Sequence, residues 1–375
     1  MEYKEDTIRV VMLFSLSLIP YALSLVMEAV FQAWEQMEYI AIVQFIGGGV
    51  RIGGVLIVLS MGHHLDSVIV VFIASHILVF LIELFIIVTR LTHITFKIDF
   101  AITRDIVSRG RDIIGINSVL AFRSSFGVII VTKFVGETGT GLYSAATQFS
   151  VPIFLVLQSV AKSVFPIMSR AYDKGIDQLQ RVSTRLFEIL LIITIPASVG
   201  LAVMSTELLL FIYDAQEFGN AASILQITSW SLIGSAFTHA LGRVLFASNN
   251  ERLSLRITII VSIVWFASQI VLTKWYGTDG AAISVLIAVG FNVFCHYVAV
   301  SRYIFHIRLI EVIWKPIVSS AMMVGVITLI RDLHVLIVIA VAGIVYFITW
   351  SLLTAVTLRS FELFKRTYIR VWNVK

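Results

Sequence analysis

The sequence predicts an all-α polytopic membrane protein of about eleven transmembrane helices, and three observations carry the prediction. Of the 375 residues, 58% are hydrophobic and only 14% charged, where a soluble domain runs nearer ~45–50% apolar and ~25% charged. Long apolar runs are broken at near-regular intervals by polar turns. Lys and Arg collect in alternate turns. A crossing helix needs roughly 20 apolar residues, so eleven crossings use roughly 230 and leave short loops. No water-soluble core could hide so much apolar surface, which excludes a soluble enzyme, a nucleic-acid binder and a secreted disulfide scaffold.

The remaining bulk properties agree. A formal net charge of +5 sits beside apolar spans, where it reads as topology and not as a nucleic-acid face. Cys295 is alone inside an apolar run, so neither a disulfide framework nor a thiolate metal cluster is available. The first apolar run follows Glu2, Glu5 and Asp6, the opposite of the basic leader of a cleavable signal peptide.

Taken in order, the spans fall near 8–30, 38–61, 67–90, 113–135, 141–168, 184–204, 222–246, 256–275, 279–302, 311–331 and 334–357. The fifth holds Pro152 and Pro166, so a kink or an interfacial turn is expected there. The stretch Glu207 to Tyr213 is too short to cross and is expected to lie at the interface. Trp34, Trp230, Trp265, Trp275, Trp314 and Trp350 read as belt residues, with Trp230 open to a sugar-stacking role.

Basic residues fix the expected orientation. One set of turns holds Arg90, Lys97, Arg104, Arg109, Arg111, Arg170, Lys174, Arg181, Arg185, Arg243, Arg252, Arg256, Arg302, Arg308 and the tail from Arg359 to Lys375. The other holds only Lys4, Arg9, Lys133, Lys274 and Arg331. The C-terminus is therefore expected in the cytoplasm. An odd number of spans then leaves residue 1 outside.

An internal repeat bears on that oddity. Val58 to Gly62 running into Ser67–Ser75 parallels Val271 to Gly277 running into Gly280–Ala288. Each is a span that ends at a glycine turn and is followed at once by a span starting with small residues. The offset is six spans, the spacing of transporters built from two six-span halves. On this reading spans 4–9 form one full lobe, three spans of the other are missing, and the expected divisions are 1–110 (partial N-terminal lobe), 111–305 (C-terminal lobe) and 306–375 (two further spans and a basic tail).

Five segments in order carry a resemblance. Phe122 to Gly136 with Thr140 to Phe149, Lys162 to Arg170, Leu245 to Arg252, Tyr276 to Ile283, and Leu18–Pro20 with Phe31–Ala41 resemble the landmarks of the polysaccharide flippases within the multidrug/oligosaccharidyl-lipid/polysaccharide exporter superfamily. The resemblance implies a two-lobed fold of fourteen helices, a polyprenyl-pyrophosphate-linked oligosaccharide as cargo, no cofactor, and polysaccharide polymerase and assembly proteins as partners alongside the membrane lipids. It also makes the first span here the family's fourth. Such a cargo, flipped by alternating access, calls for a wet, cationic cavity.

Charges inside spans cost about 2.5–3.5 kcal/mol each on the insertion scale, which makes them functional candidates. Arg123 lies near the middle of span 4, with Asn117 and Ser124 nearby, and its guanidinium can pair bidentately with phosphate. Arg51 sits among Gly47, Gly48, Gly49, Gly53 and Gly54, with Gln44 on its face; the glycines permit close helix packing, and pairing with Glu83 or Glu28 is the competing role. Lys162 shares a face with Gln158 and Ser159 and is close enough to the helix end to snorkel. Lys315 beside Trp314 reads as an interfacial anchor. Glu28, Glu83, Glu188, His239 and His296 lie toward helix ends where they could reach water, and the first four are candidates for ion coupling. No Walker-type phosphate loop appears, and no His/Cys cluster has metal spacing. Two rivals remain: a drug/cation antiporter of the same superfamily, which would favour acidic cavity residues, and a glycan polymerase or ligase, which would need a large external loop with basic residues. The segment 205–221 has no Arg, Lys or His, against the enzyme.

Overall fold

The computed structural model describes residues 9, 12–34, 36–62, 65–91, 100–213, 216–306 and 310–372. Lys4, Lys97, Arg308 and Lys375 of the charge argument lie outside them. The chain divides into two compact units, Met1–Thr103 and Arg104–Lys375.

In the first unit, α1 (Leu18–Ala33) and α2 (Met37–Ser60) both pack on α3 (Leu65–Ile86). A short π-helical turn, Ile87–Leu91, closes α3. Of the five glycines of α2, two make the close approach. A Cβ on Gly47 would stand 2.3 Å from a Val79 methyl and one on Gly54 2.7 Å from Val71, while Gly48, Gly49 and Gly53 face nothing. Seven residues return to the same helix face, so the pair forms one seam against α3.

The second unit holds α4 (Phe100–Gln148), α5 (Val151–Asp173), α6 (Ile176–Val203), α7 (Ser205–Tyr213), α8 (Ala222–Ser229), α9 (Ser231–Ala247), α10 (Glu251–Tyr303), α11 (Ile310–Leu329) and α12 (Val335–Trp372). Its main core gathers Leu157 and Met168 from α5, Leu190 and Leu191 from α6, Val244 and Leu245 from α9, and Trp265 from α10. Lipid is as apolar as this core, so packing and interhelical hydrogen bonds hold the helices together and burial from water does not.

Nine helices among the described residues are long and apolar enough to cross a membrane. One of them, α10, is two crossings joined at Gly277, whose φ of +60° only glycine adopts without strain. Three residues on, a Cβ at Gly280 would fall 1.9 Å from the Leu272 carbonyl oxygen, so the returning limb presses on the outgoing one where only hydrogen fits. Gly136 (φ +79°) interrupts α4 in the same way. Gly62 (φ +74°), the glycine paired with Gly277 in the repeat, shares with it a positive φ.

Three expectations are corrected. The seventh span is not one helix: α8 and α9 meet at Trp230, where the Ser198 hydroxyl donates to the Ser229 carbonyl at 2.8 Å and competes for that acceptor. The fifth span breaks at Phe149–Ser150, with Pro152 in the first turn of α5, where its missing N–H costs nothing; Pro166 stays inside the continuous helix. Trp265 is no belt residue, being 5% exposed. The segment around Glu207 does form a nine-residue helix, α7, too short to cross.

The ends of the helices sort as the charge alternation requires. In the first unit Arg9 pairs with Asp66 at 3.1 Å, both at the sparsely basic end. In the second, Glu207 pairs with Arg331 and the Ser223 hydroxyl donates to Asp279 at 2.7 Å at the corresponding end. At the opposite, basic end Arg252 meets Asp112 at 3.5 Å.

One proline shows how the last helix is fixed. Pro196 inside α6 has no N–H for the Ile192 carbonyl one turn back. The Tyr346 hydroxyl of α12 donates to that carbonyl at 2.9 Å. Left bare in lipid it would cost several kcal/mol.

Candidate functional site

The second unit presents Arg123 on the first limb of α4, half-buried, with its guanidinium carbon 5.4 Å from the centre of the Trp265 ring. Trp265 can lie there because Gly127, one turn further along α4, leaves it room: a Cβ on Gly127 would stand 3.2 Å from the indole. Tyr143 lies within electrostatic range of the same guanidinium. Arg123 makes no ion pair among the described residues. A desolvated cation–π contact is worth up to ~2 kcal/mol and leaves the in-plane N–H donors of the guanidinium for a ligand. Asn117 is exposed, six residues away and therefore about 120° round the helix. Ser124 donates to its own helix at Ala121. The polarity expected beside Arg123 is therefore spread round the helix, and its closest companion is aromatic.

In the first unit Arg51 also lies over a ring, 5.4 Å from the centre of Phe72, and its Nε donates to the Ser75 hydroxyl at 3.3 Å. It is paired with neither Glu83 nor Glu28. Gln44 turns elsewhere, donating to the Glu28 carboxylate at 2.7 Å, so residues of one helix face serve two separate groups. Glu83 is 0% exposed, with the Ser24 hydroxyl of α1 against its carboxylate. The expectation that Glu83 reaches water is wrong, because α1 covers it. Glu28 is half-exposed and close enough to feel the Glu83 charge.

The other candidates separate. Gln158, Ser159 and Lys162 share an exposed face of α5. Glu188 is engaged by Arg185 at 3.6 Å. His239 is half-buried one turn from Arg243. His296 is buried, its Nδ1 3.1 Å from the Asn292 carbonyl, and does not reach water. Arg243 was missed. It belongs to the interior of α9, with its guanidinium 5.5 Å from the Phe165 ring on α5, and not to the basic turn that follows. The apolar run from Ser231 to Ala247 already enclosed it. Among the described residues no group of acidic, His or Cys side chains could hold a metal ion.

Antiparallel helical hairpins with apolar outer faces define a multi-pass membrane protein. The chain belongs to the polysaccharide biosynthesis protein family, whose profile matches residues 3–217, as the five sequence landmarks implied. It is 27% identical over 207 residues to the probable low-salt glycan biosynthesis flippase Agl15 of Haloferax volcanii, a match covering 55% of this chain and 43% of that protein. The chain thus spans less than half the length of this curated relative. Among solved structures, lipid II flippase MurJ in an inward closed conformation superposes with a TM-score of 0.68 at 19% identity, over 93% of this chain and 75% of that one. A MATE transporter in a bent conformation gives 0.67 at 14%, over 81% and 71%. A transporter of the same superfamily from Pyrococcus furiosus, described by the reversed polarity of its binding pocket, gives 0.63 at 14%, over 75% and 66%. At these identities the likeness is one of fold.

Proposed function

We propose that the protein translocates a lipid-linked oligosaccharide repeat unit across the cytoplasmic membrane by alternating access, with Arg123 as the principal contact for the cargo's pyrophosphate. The observation that carries this reading is a guanidinium within an apolar span, held against an aromatic face with no carboxylate partner among the described residues. A cation left unpaired in a span is costly, and an anionic cargo is the chemistry that offsets the cost. The glycan flippase relative and the lipid II flippase fold support the same class of cargo. Arg51, Lys162, Gln158, Asn117 and Gln44 are proposed as secondary contacts, with the C-terminus in the cytoplasm. We assign no covalent chemistry to the chain.

One observation favours an ion-coupled version. Glu83 is a fully buried acid with no cationic partner among the described residues, next to Ser24 and Glu28, and is the best placed of Glu28, Glu83, Glu188 and His239 to carry a proton or a monovalent cation. Glu188 is the weakest of the four, being held by Arg185. The test is glycan export in cells carrying Arg123→Ala and, separately, Glu83→Gln. Surface glycan disappears with the first at normal protein level. With the second, export no longer responds to the ion gradient. Full export by Arg123→Ala removes the proposed role.

A further inference from the structure

A groove of about 440 Å³ opens between α6, α11 and α12, within the range of small-ligand sites of ~300–1,000 Å³. It is unrelated to Arg123. Its walls bring together Arg185 and Glu188 from α6, Lys315 from α11, and Trp350 and Thr354 from α12 over an apolar floor that includes Ile192. Two cations face one carboxylate. Arg185 meets Glu188 at 3.6 Å with its own side chain 79% exposed, a loose pair of little worth in solvent. Lys315 has no carboxylate partner among the described residues; its ammonium lies 5.8 Å from the Trp314 ring.

The groove lies at the end of these helices that carries the basic turns. Trp and Lys there mark headgroup depth. Outside it, Ile317, Val318 and Leu352 stand exposed as an apolar slope. A net positive slot that drains onto acyl-chain surface fits one occupant. We propose that it binds the phosphate of an anionic glycerophospholipid from the leaflet facing the basic turns, with Lys315 and Arg185 on the phosphate and Glu188 opposing it. Basic pockets between helices are recognised lipid-headgroup sites.

The test uses the full chain purified in detergent, with bound lipid read by native mass spectrometry after titration with phosphatidylglycerol or phosphatidylcholine. Phosphatidylglycerol is retained in preference, about fivefold for each cation. Arg185→Ala with Lys315→Ala abolishes the preference, Lys315→Arg keeps it, and Glu188→Gln increases it. Should the double variant fail to fold, Glu188→Gln and Lys315→Gln, which move the preference in opposite directions, decide the matter. Equal retention of the two lipids by the unaltered protein overturns the proposal, as does a preference surviving the double variant. Displacement of the lipid by millimolar inorganic phosphate reassigns the slot to free phosphate. Stronger retention of a polyprenyl phosphate reassigns it to cargo, and either result sinks the phospholipid assignment.

Discussion

Arg51 and Arg123 solve one problem in two ways. Each is a guanidinium inside a span, each lies 5.4 Å from an aromatic centre, and neither meets a carboxylate among the described residues. Arg51 spends its Nε–H on Ser75, within a unit where Gln44 holds Glu28 and Glu83 is buried. Arg123 spends no hydrogen bond on the described protein at all. The difference separates a cation tied into its own helices from one held out by its support. Each unit also makes room for its arrangement with glycine, at Gly47 and Gly54 against valines, and at Gly127 against Trp265.

The sharpest way to break that comparison is Arg123→Ala. A charge-assisted hydrogen bond to an ionised group contributes about 1.5–3 kcal/mol, so losing a bidentate pair is expected to lower export by about a hundredfold or more, read as surface glycan at matched protein level. Arg123→Lys retains the charge but not the fork and falls in between. Gly127→Leu comes next: it evicts the Trp265 ring without touching Arg123 and is expected to cost about tenfold in export, the scale of a lost cation–π contact. Export unchanged by Gly127→Leu would show that the aromatic support is incidental. Arg51→Ala is expected to cost only about threefold, roughly one ordinary hydrogen bond. A larger loss than that of Arg123→Ala would invert the comparison. Smallest is Tyr346→Phe, which leaves export intact and lowers unfolding stability by about 1 kcal/mol, within the range measured for interhelical hydrogen bonds in membranes.

What the sequence disclosed and what it withheld divide along the same line. Span positions follow from apolar length, and the turns at Gly62 and Gly277 from a backbone conformation special to glycine; both are local properties. Partner choice is not local. Nothing near Arg123 announces that Trp265 comes from another helix, and the belt reading of Trp265 failed for that reason. Glu83 lies toward a helix end by count, yet α1 seals it. Pro196 is visible in the sequence, whereas the hydroxyl that answers its bare carbonyl is 154 residues from Ile192. Arg243 could have been found, because the apolar run containing it continues for another turn.

The single-residue glycine turns at Gly136 and Gly277 carry a mechanical consequence. A connection of one residue spans at most about 3.6 Å, so the two helices it joins have no slack at that end. At Gly277 even a methyl group cannot be inserted three residues later. The limbs of α10 therefore cannot slide past each other or splay at the turn, and any displacement must carry both together.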